Sequence, residues 1–290
     1  MADVKNEQKQ KAAAWFKALR DAICAEFEAI EQEYADKNPE VAATMGKFER
    51  TNWERPDLKE NEGGGGTMSV MKGNVFEKVG VNISTVHGFF SEDFRKQIPG
   101  AAETGAFWAS GISLVAHMKN PHVPAVHMNT RHIVTEKSWF GGGADLNPSH
   151  PNDVDTKTFH AAFEKTCDAE DPSFHKTFKE KCDEYFYIPH RQKSRGVGGI
   201  FYDYLNRDNW EADFNFTQEV GKTFLDIYPK LVRQNMDKEW NEAEKEEQLI
   251  YRGHYAEFNL VYDRGTKFGL QTNGNTEAIL MSLPPEAKWP

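Results

Sequence analysis

Residues 112–134 constrain this chain more than any other stretch. Two runs rich in apolar and β-branched residues, Ile112 to Met118 and Ala125 to Val134, are separated by Asn120-Pro121-His122-Val123-Pro124. Proline has no backbone N–H to give to a ladder, so the connection cannot join the pairing and the two runs read as an antiparallel hairpin. A strand alternates its side chains between two faces. His127, Asn129 and Arg131 therefore share one face, and Val126, Met128, Thr130, His132 and Val134 share the other. The same rule puts Ser113 and His117 on one face of the preceding strand. A plain solvated face usually carries Lys, Glu and Thr. Imidazole, amide and guanidinium in a row suit a site for an anion and a proton.

The rest of the chain is organised in blocks around this hairpin. Phe16, Leu19, Ile23, Phe27, Ile30 and Tyr34 recur at steps of three or four, one face of a helix that Asn38-Pro39 stops. Residues 1–10 are polar and read as disordered. Strands extend from about Val75 to Val134, with Val79, Val81, Ile83 and Thr85 in alternation. Two helices are expected between Asp153 and Tyr187, the second capped by Ser173, and a short strand from Ile200 to Leu205. A helix pair is expected from Phe216 to Leu249, bent or divided at Pro229. The chain then reads as β again: Tyr255 to Tyr262, Lys267 to Gln271 and Ala278 to Leu283, with turns at 263–265 and 273–275. Strands joined by tight turns, with helices in blocks, imply an α+β fold: a large, mainly antiparallel sheet flanked by helical layers. No internal repeat or composition break divides residues 1–290, which reads as a single domain.

Composition removes several classes of function. A formal charge of -10 makes nucleic acid and anionic membranes poor partners. No apolar run approaches the roughly 20 residues of a membrane span. Three cysteines without metal-type spacing suit a reducing compartment, and the polar, acid-containing start lacks a secretory or transit pattern, so a cytoplasmic protein is expected.

Two glycine runs and a basic knot carry further signals. Gly63 to Gly66 reads either as a flexible loop or as a flap beside a ligand. Trp139-Phe140-Gly141-Gly142-Gly143-Ala144-Asp145 reads as a turn that lets backbone approach a flat ligand and places Asp145, or as an ordinary tight turn. It lacks the spacing of a dinucleotide fingerprint. His190-Arg191-Gln192-Lys193-Ser194-Arg195-Gly196 concentrates positive charge in an acidic protein, and Arg252 and Arg264 lie further along. Guanidinium forks match carboxylates bidentately, so these arginines suit a polycarboxylate pocket. His117, His127, His160 and His190 have no spacing typical of a metal site.

Taken in order, these segments resemble the aerobic coproporphyrinogen III oxidases. The match runs through Gly63 to Gly66, Val75-Phe76-Glu77-Lys78-x-Gly80-Val81, Asn120-Pro121-His122-x-Pro124, His127-x-Asn129-x-Arg131, Trp139 to Leu146, His190 to Gly199, and Glu257 to Leu270. It covers nearly the whole chain after the first helix. The resemblance implies a homodimer of single-domain subunits, with about residues 255–290 contributing to the contact. It implies conversion of coproporphyrinogen III and O2 to protoporphyrinogen IX with loss of two CO2 and no organic cofactor. His127 corresponds to the proton donor. Ser113, Asn129, Thr130, Arg131, Asn273, Gly274 and Asn275 correspond to substrate-binding positions. His117, His127, His160 and His190 match metal ligands proposed for bacterial members, while other members work without metal. A divalent metal is thus compatible with the resemblance and not required by it. Family members usually carry arginine where Asn275 stands, and Thr158 replaces a histidine two residues before His160.

On this reading Arg131, Arg191, Arg195, Arg252 and Arg264 supply a pocket for the four propionates, and Asp145 contacts a pyrrole N–H. An electron-rich porphyrinogen so contacted can reduce O2 itself, and the resulting peroxide removes the β-hydrogen whose loss drives decarboxylation to a vinyl group. Two other readings compete: a non-haem metal oxygenase using the histidines, and a tetrapyrrole carrier with the same arginines and no catalysis.

Overall fold

The structure is a computed structural model that describes residues 2–55, 63–271 and 274–290. In chain order the elements are α1 (Ala2–Lys37), β1 (Glu49–Glu54), β2 (Gly63–Met71), β3 (Phe76–Phe89), α2 (Glu92–Arg95), β4 (Ala106–Met118), β5 (Ala125–Val134) and β6 (Ser138–Asn147). There follow α3 (Asp153–Asp168), α4 (Phe174–Tyr185), β7 (Tyr187–Ile188), β8 (Lys193–Ser194), β9 (Gly198–Leu205), α5 (Trp210–Asn235), α6 (Glu242–Val261), α7 (Arg264–Gln271) and α8 (Thr276–Leu280). Seven strands form one sheet in the order β1-β2-β3-β4-β5-β6-β9, antiparallel at every step. The α+β expectation holds.

One sheet face carries the main core. Val79, Val81, Leu114, Met128, Leu146 and Ile200 point from it into a cluster with Phe16, Ile23 and Phe27 of α1, Phe159 and Phe163 of α3, and Val220, Phe224 and Leu231 of α5. The alternation in β5 is complete: every residue from Val126 to Val134 with even number is buried, and those between are half-buried. The half-buried face is the one with His127, Asn129 and Arg131. Part of it is covered by a second cluster in which Phe258 of α6 packs on Phe186, Ile188 and Phe201.

A carboxylate ties α1 to the sheet. Glu31 is wholly buried and accepts hydrogen bonds from the backbone N–H groups of Asn74, Val75 and Phe76, each at 2.8 Å. Three directed N–H groups replace the water that an ionised carboxylate would otherwise need.

Several expectations are corrected. Helix α1 begins at Ala2, so residues 2–10 are helical rather than disordered. Gly63 to Gly66 form no loop; they open β2, all four pairing with β3 and Gly65 and Gly66 also with β1. Gly141 to Gly143 lie inside β6, paired with β5 and β9, rather than in a turn. Helix α5 runs unbroken through Pro229, because Phe224, Ile227, Tyr228, Leu231 and Val232 are buried on one face. That burial outweighs the roughly 3 kcal/mol a mid-helix proline costs. Ser173 stands at the N-cap of α4 but bonds Asp171 instead of the helix backbone.

The largest correction is at the C-terminus, where helices α6, α7 and α8 replace the expected strands. Asn241 and Glu244 form a reciprocal capping box at the start of α6. Leu249, Arg252, Tyr255, Ala256, Phe258 and Asn259 then bury one face at helical spacing.

Candidate active site

The two-residue period of β5 and its neighbours assembles one row of polar side chains across the sheet. His127 pairs directly with Asp145 of β6, and Asn129 directly with Ser113 of β4. His127 Nδ1 lies 2.8 Å from Asp145 Oδ1. Since an ionised carboxylate only accepts, Nδ1 donates, and Nε2 is left as the acceptor. The Asn129 amide donates to that Nε2 at 3.1 Å, and Arg131 donates to Asn129 Oδ1 at 2.8 Å. The hydrogen bonds from Arg131 through Asn129 and His127 to Asp145 thus all run in one direction. Arg131 also pairs with Asp203 of β9 at 2.9 Å.

Below His127 the row is buried. Arg195 donates to Asp145 Oδ2 at 2.7 Å, and the two side chains are 3% and 1% exposed. The Asn147 amide adds a hydrogen bond to the same oxygen at 2.9 Å. Burial alone would raise the Asp145 pKa, but the Arg195 guanidinium and the bond from His127 outweigh it and hold the carboxyl low, at about 2. Burial likewise opposes the charge on Arg195, and Asp145 reverses that, keeping the guanidinium charged. The cation is enclosed by the rings of Phe186, Tyr255 and Phe258, with centroids 4.0, 4.7 and 4.8 Å away. His127, 16% exposed and edge-on to Phe186, is where this buried charge pair meets the open part of the face.

The remaining expected residues divide. Ser113 is exposed on the site face, but Thr130 points into the core on the opposite face. The Asn275 side chain caps α8, accepting from Ala278 N–H at 2.9 Å, and Gly274 donates its backbone N–H to Gly269. Asn273 lies outside the described residues. The five arginines are held by separate partners rather than gathered in one pocket. Arg252 is buried against Glu77 and the Met118 carbonyl, Arg191 makes a bidentate pair with Glu257, and Arg264 lies 4.8 Å over the Tyr185 ring. Asp145 has both carboxylate oxygens taken by protein groups, Oδ1 by His127 and Oδ2 by Arg195 and Asn147. Asp203 and Asn147 were not foreseen. Their signal is the same period of two, since Asn147 follows Asp145 by two and Asp203 lies on the strand beside Gly141.

The four histidines do not converge on a metal. His117 Nε2 meets the Ser282 carbonyl, His160 Nε2 meets the Val197 carbonyl, and His190 is taken by Tyr262 and Glu257. No group of three or more metal-ligating side chains occurs among the described residues. No helix among them is long and apolar enough to cross a membrane.

Comparison with known proteins identifies the family. A family description, Coproporphyrinogen III oxidase, matches residues 11–290. The oxygen-dependent coproporphyrinogen-III oxidase of Rickettsia bellii (strain OSU 85-389) is 58% identical over 283 residues, 98% of this chain and 99% of that protein. The protein of the same name from Rickettsia rickettsii (strain Sheila Smith) is 59% identical over 283 residues, with the same coverage. That of Rickettsia akari (strain Hartford) is 58% identical over 286 residues, 99% of this chain and all of that protein. With a family match from the first helix to the last residue, and relatives this similar from end to end, the chain belongs to the coproporphyrinogen III oxidase family.

Proposed function

We propose that this protein is an oxygen-dependent coproporphyrinogen III oxidase, which converts two propionates of coproporphyrinogen III to vinyl groups and yields protoporphyrinogen IX. Each conversion releases one CO2 and removes one proton and two electrons from the propionate, and O2 accepts the electrons. The reaction class is supported by the name that the Rickettsia relatives carry.

One observation within the chain carries the assignment of roles: Arg131 donates to Asn129, Asn129 to His127 and His127 to Asp145, which accepts from Arg195 on its other side. His127 is its partly exposed titratable member. Asp145 fixes its Nδ1 proton, and Nε2, which accepts from the Asn129 amide in the structure, takes up or returns a proton at the substrate. General acid–base help of this kind contributes roughly 10²–10⁴-fold. Arg131, paired with Asp203 at the open end, exchanges that carboxylate for a substrate propionate, with Ser113 and Asn129 beside it. Arg195 and Asp145 touch no substrate and act through His127.

Among the described residues the four histidines do not fit a bound metal. The subunit is one domain over residues 1–290 and works as a homodimer in the cytoplasm. Leu260, Val261 and Leu270, between 42% and 51% exposed near the C-terminus, supply apolar surface for the contact. The test is incubation with coproporphyrinogen III with and without oxygen, following the vinyl product. Product under oxygen only is expected; no product under oxygen overturns the assignment. Light scattering after size exclusion checks the dimer.

A further inference from the structure

A small cavity of about 10 Å³ lies behind the row, between the sheet and α6, and its walls include His117, Asn147, Arg252 and Tyr255. Each of these side chains brings one buried polar atom without a hydrogen-bond partner among the described residues: His117 Nδ1, Asn147 Oδ1, Arg252 Nη1 and the Tyr255 hydroxyl. The roles of these atoms follow from what their neighbours do. His117 Nε2 lies 2.9 Å from the Ser282 carbonyl, so Nε2 carries the proton and Nδ1 is an acceptor. Burial holds this imidazole neutral, with a pKa lowered to about 3. The Asn147 amide nitrogen donates to Asp145, so its oxygen is free to accept. Arg252 Nη2 serves Glu77 and the Met118 carbonyl, which leaves Nη1 as a donor, and the tyrosine hydroxyl is a second donor.

Two donors and two acceptors are the complement of one water molecule. A volume on the order of 10–15 Å³ with two to four polar partners is what one buried water requires. A cation is disfavoured by the Arg252 guanidinium, an anion by the two acceptor lone pairs, and anything larger by the volume. We propose that a single ordered water is bound in this cavity, donating to His117 Nδ1 and Asn147 Oδ1 and accepting from Arg252 Nη1 and the Tyr255 hydroxyl. It closes the hydrogen bonding of Asn147, whose other end holds Asp145. The floor of the site is thereby tied to α6, and the water's presence does not depend on which reaction the protein catalyses.

The test is a crystal structure of the full chain at a resolution that shows ordered solvent, with a second crystal soaked in Mn²⁺. One density peak within hydrogen-bonding distance of all four atoms, with no anomalous signal from manganese, is expected. Direct contact among the four side chains, an empty cavity or an anomalous peak overturns the proposal. Tyr255→Phe gives an independent reading in solution. The hydroxyl has no protein partner among the described residues, so in a dry cavity its removal leaves the melting temperature unchanged or raises it. With the water present the melting temperature falls by about 2–4 °C.

Discussion

The guanidinium of Arg131 occupies the space that Gly141 leaves open. A Cβ built on Gly141 would stand 2.8 Å from the guanidinium carbon, well inside contact distance. Gly111 flanks Arg131 on the other neighbouring strand, where an added Cβ would come within 3.1 Å of the arginine Cβ. Gly141→Ala therefore displaces the guanidinium while leaving its charge in place. If Arg131 clamps a propionate, KM for coproporphyrinogen III rises with a smaller change in kcat, and Arg131→Ala gives the same split more strongly. Steady-state kinetics check this; an unchanged KM in both variants removes Arg131 from the binding role.

Asp145→Asn separates positioning from substrate contact. The variant leaves Arg195 buried without its counter-ion, so a stability loss of about 3–5 kcal/mol is expected in urea unfolding. It also releases the Nδ1 proton of His127 from its acceptor. In the folded fraction kcat should fall about 10²–10⁴-fold while KM stays near wild type. A large rise in KM instead would show that the carboxylate meets the substrate.

Glu31→Gln tests the link between the first helix and the sheet. Val75 and Phe76 donate to one carboxylate oxygen and Asn74 to the other, so an amide turns its own N–H groups toward the donors on one side. Hydrogen bonds to a charged group contribute more than neutral ones, so the variant should lose about 2–3 kcal/mol. Activity per folded molecule should be unchanged, because the site row lies elsewhere. Equal midpoints in denaturant for the two proteins would refute this.

Stability should fall with acid well above the carboxylate range. Burial lowers the pKa of His132 to about 3, as it does that of His117. His132 stacks on Phe140 at 4.4 Å and accepts from the Trp210 indole N–H, an arrangement for a neutral ring. Both folded values lie below the ordinary 6.5, so the unfolded chain binds these protons first. The stabilisation is complete above pH 6.5 and is lost as pH falls toward 3, at up to about 1.4 kcal/mol per pH unit for each ring. Urea midpoints measured at pH 7 and pH 5 check the sign; no decline at pH 5 would overturn it.

What could be read from the residues follows their local periodicity. The strands around His127 and the first helix were legible because each buries one face at a fixed period. Gly141 to Gly143 were misread as a turn, and Gly63 to Gly66 as a loop or flap, because glycine usually breaks strands. Here the bare backbone admits a neighbour, as at Arg131, or takes a positive φ, 154° at Gly143. The C-terminal helices were misread because Tyr255 to Tyr262 is aromatic and apolar enough to resemble a strand. Their helical period becomes visible only once Gln248, Leu249 and Arg252 are counted with them. The arginines misled for another reason. A sequence displays cations but not the carboxylates folded against them, and here Asp145, Glu77, Glu257 and Asp203 come from distant segments.

The order of strands in the sheet bears on how the protein is made. During synthesis β1 to β6 emerge one after another and can zip to immediate neighbours, but β9 arrives only after two helices have been laid down. Arg195 and Asp203 belong to that late segment, so Asp145 and Arg131 must wait for their partners with their charges still hydrated. Docking of the last strand would then seal the sheet and switch on the electrostatics in one event. Pulsed hydrogen exchange during refolding should find β9 amides protected after those of β3 to β5; simultaneous protection would mean that β9 docks together with the rest of the sheet.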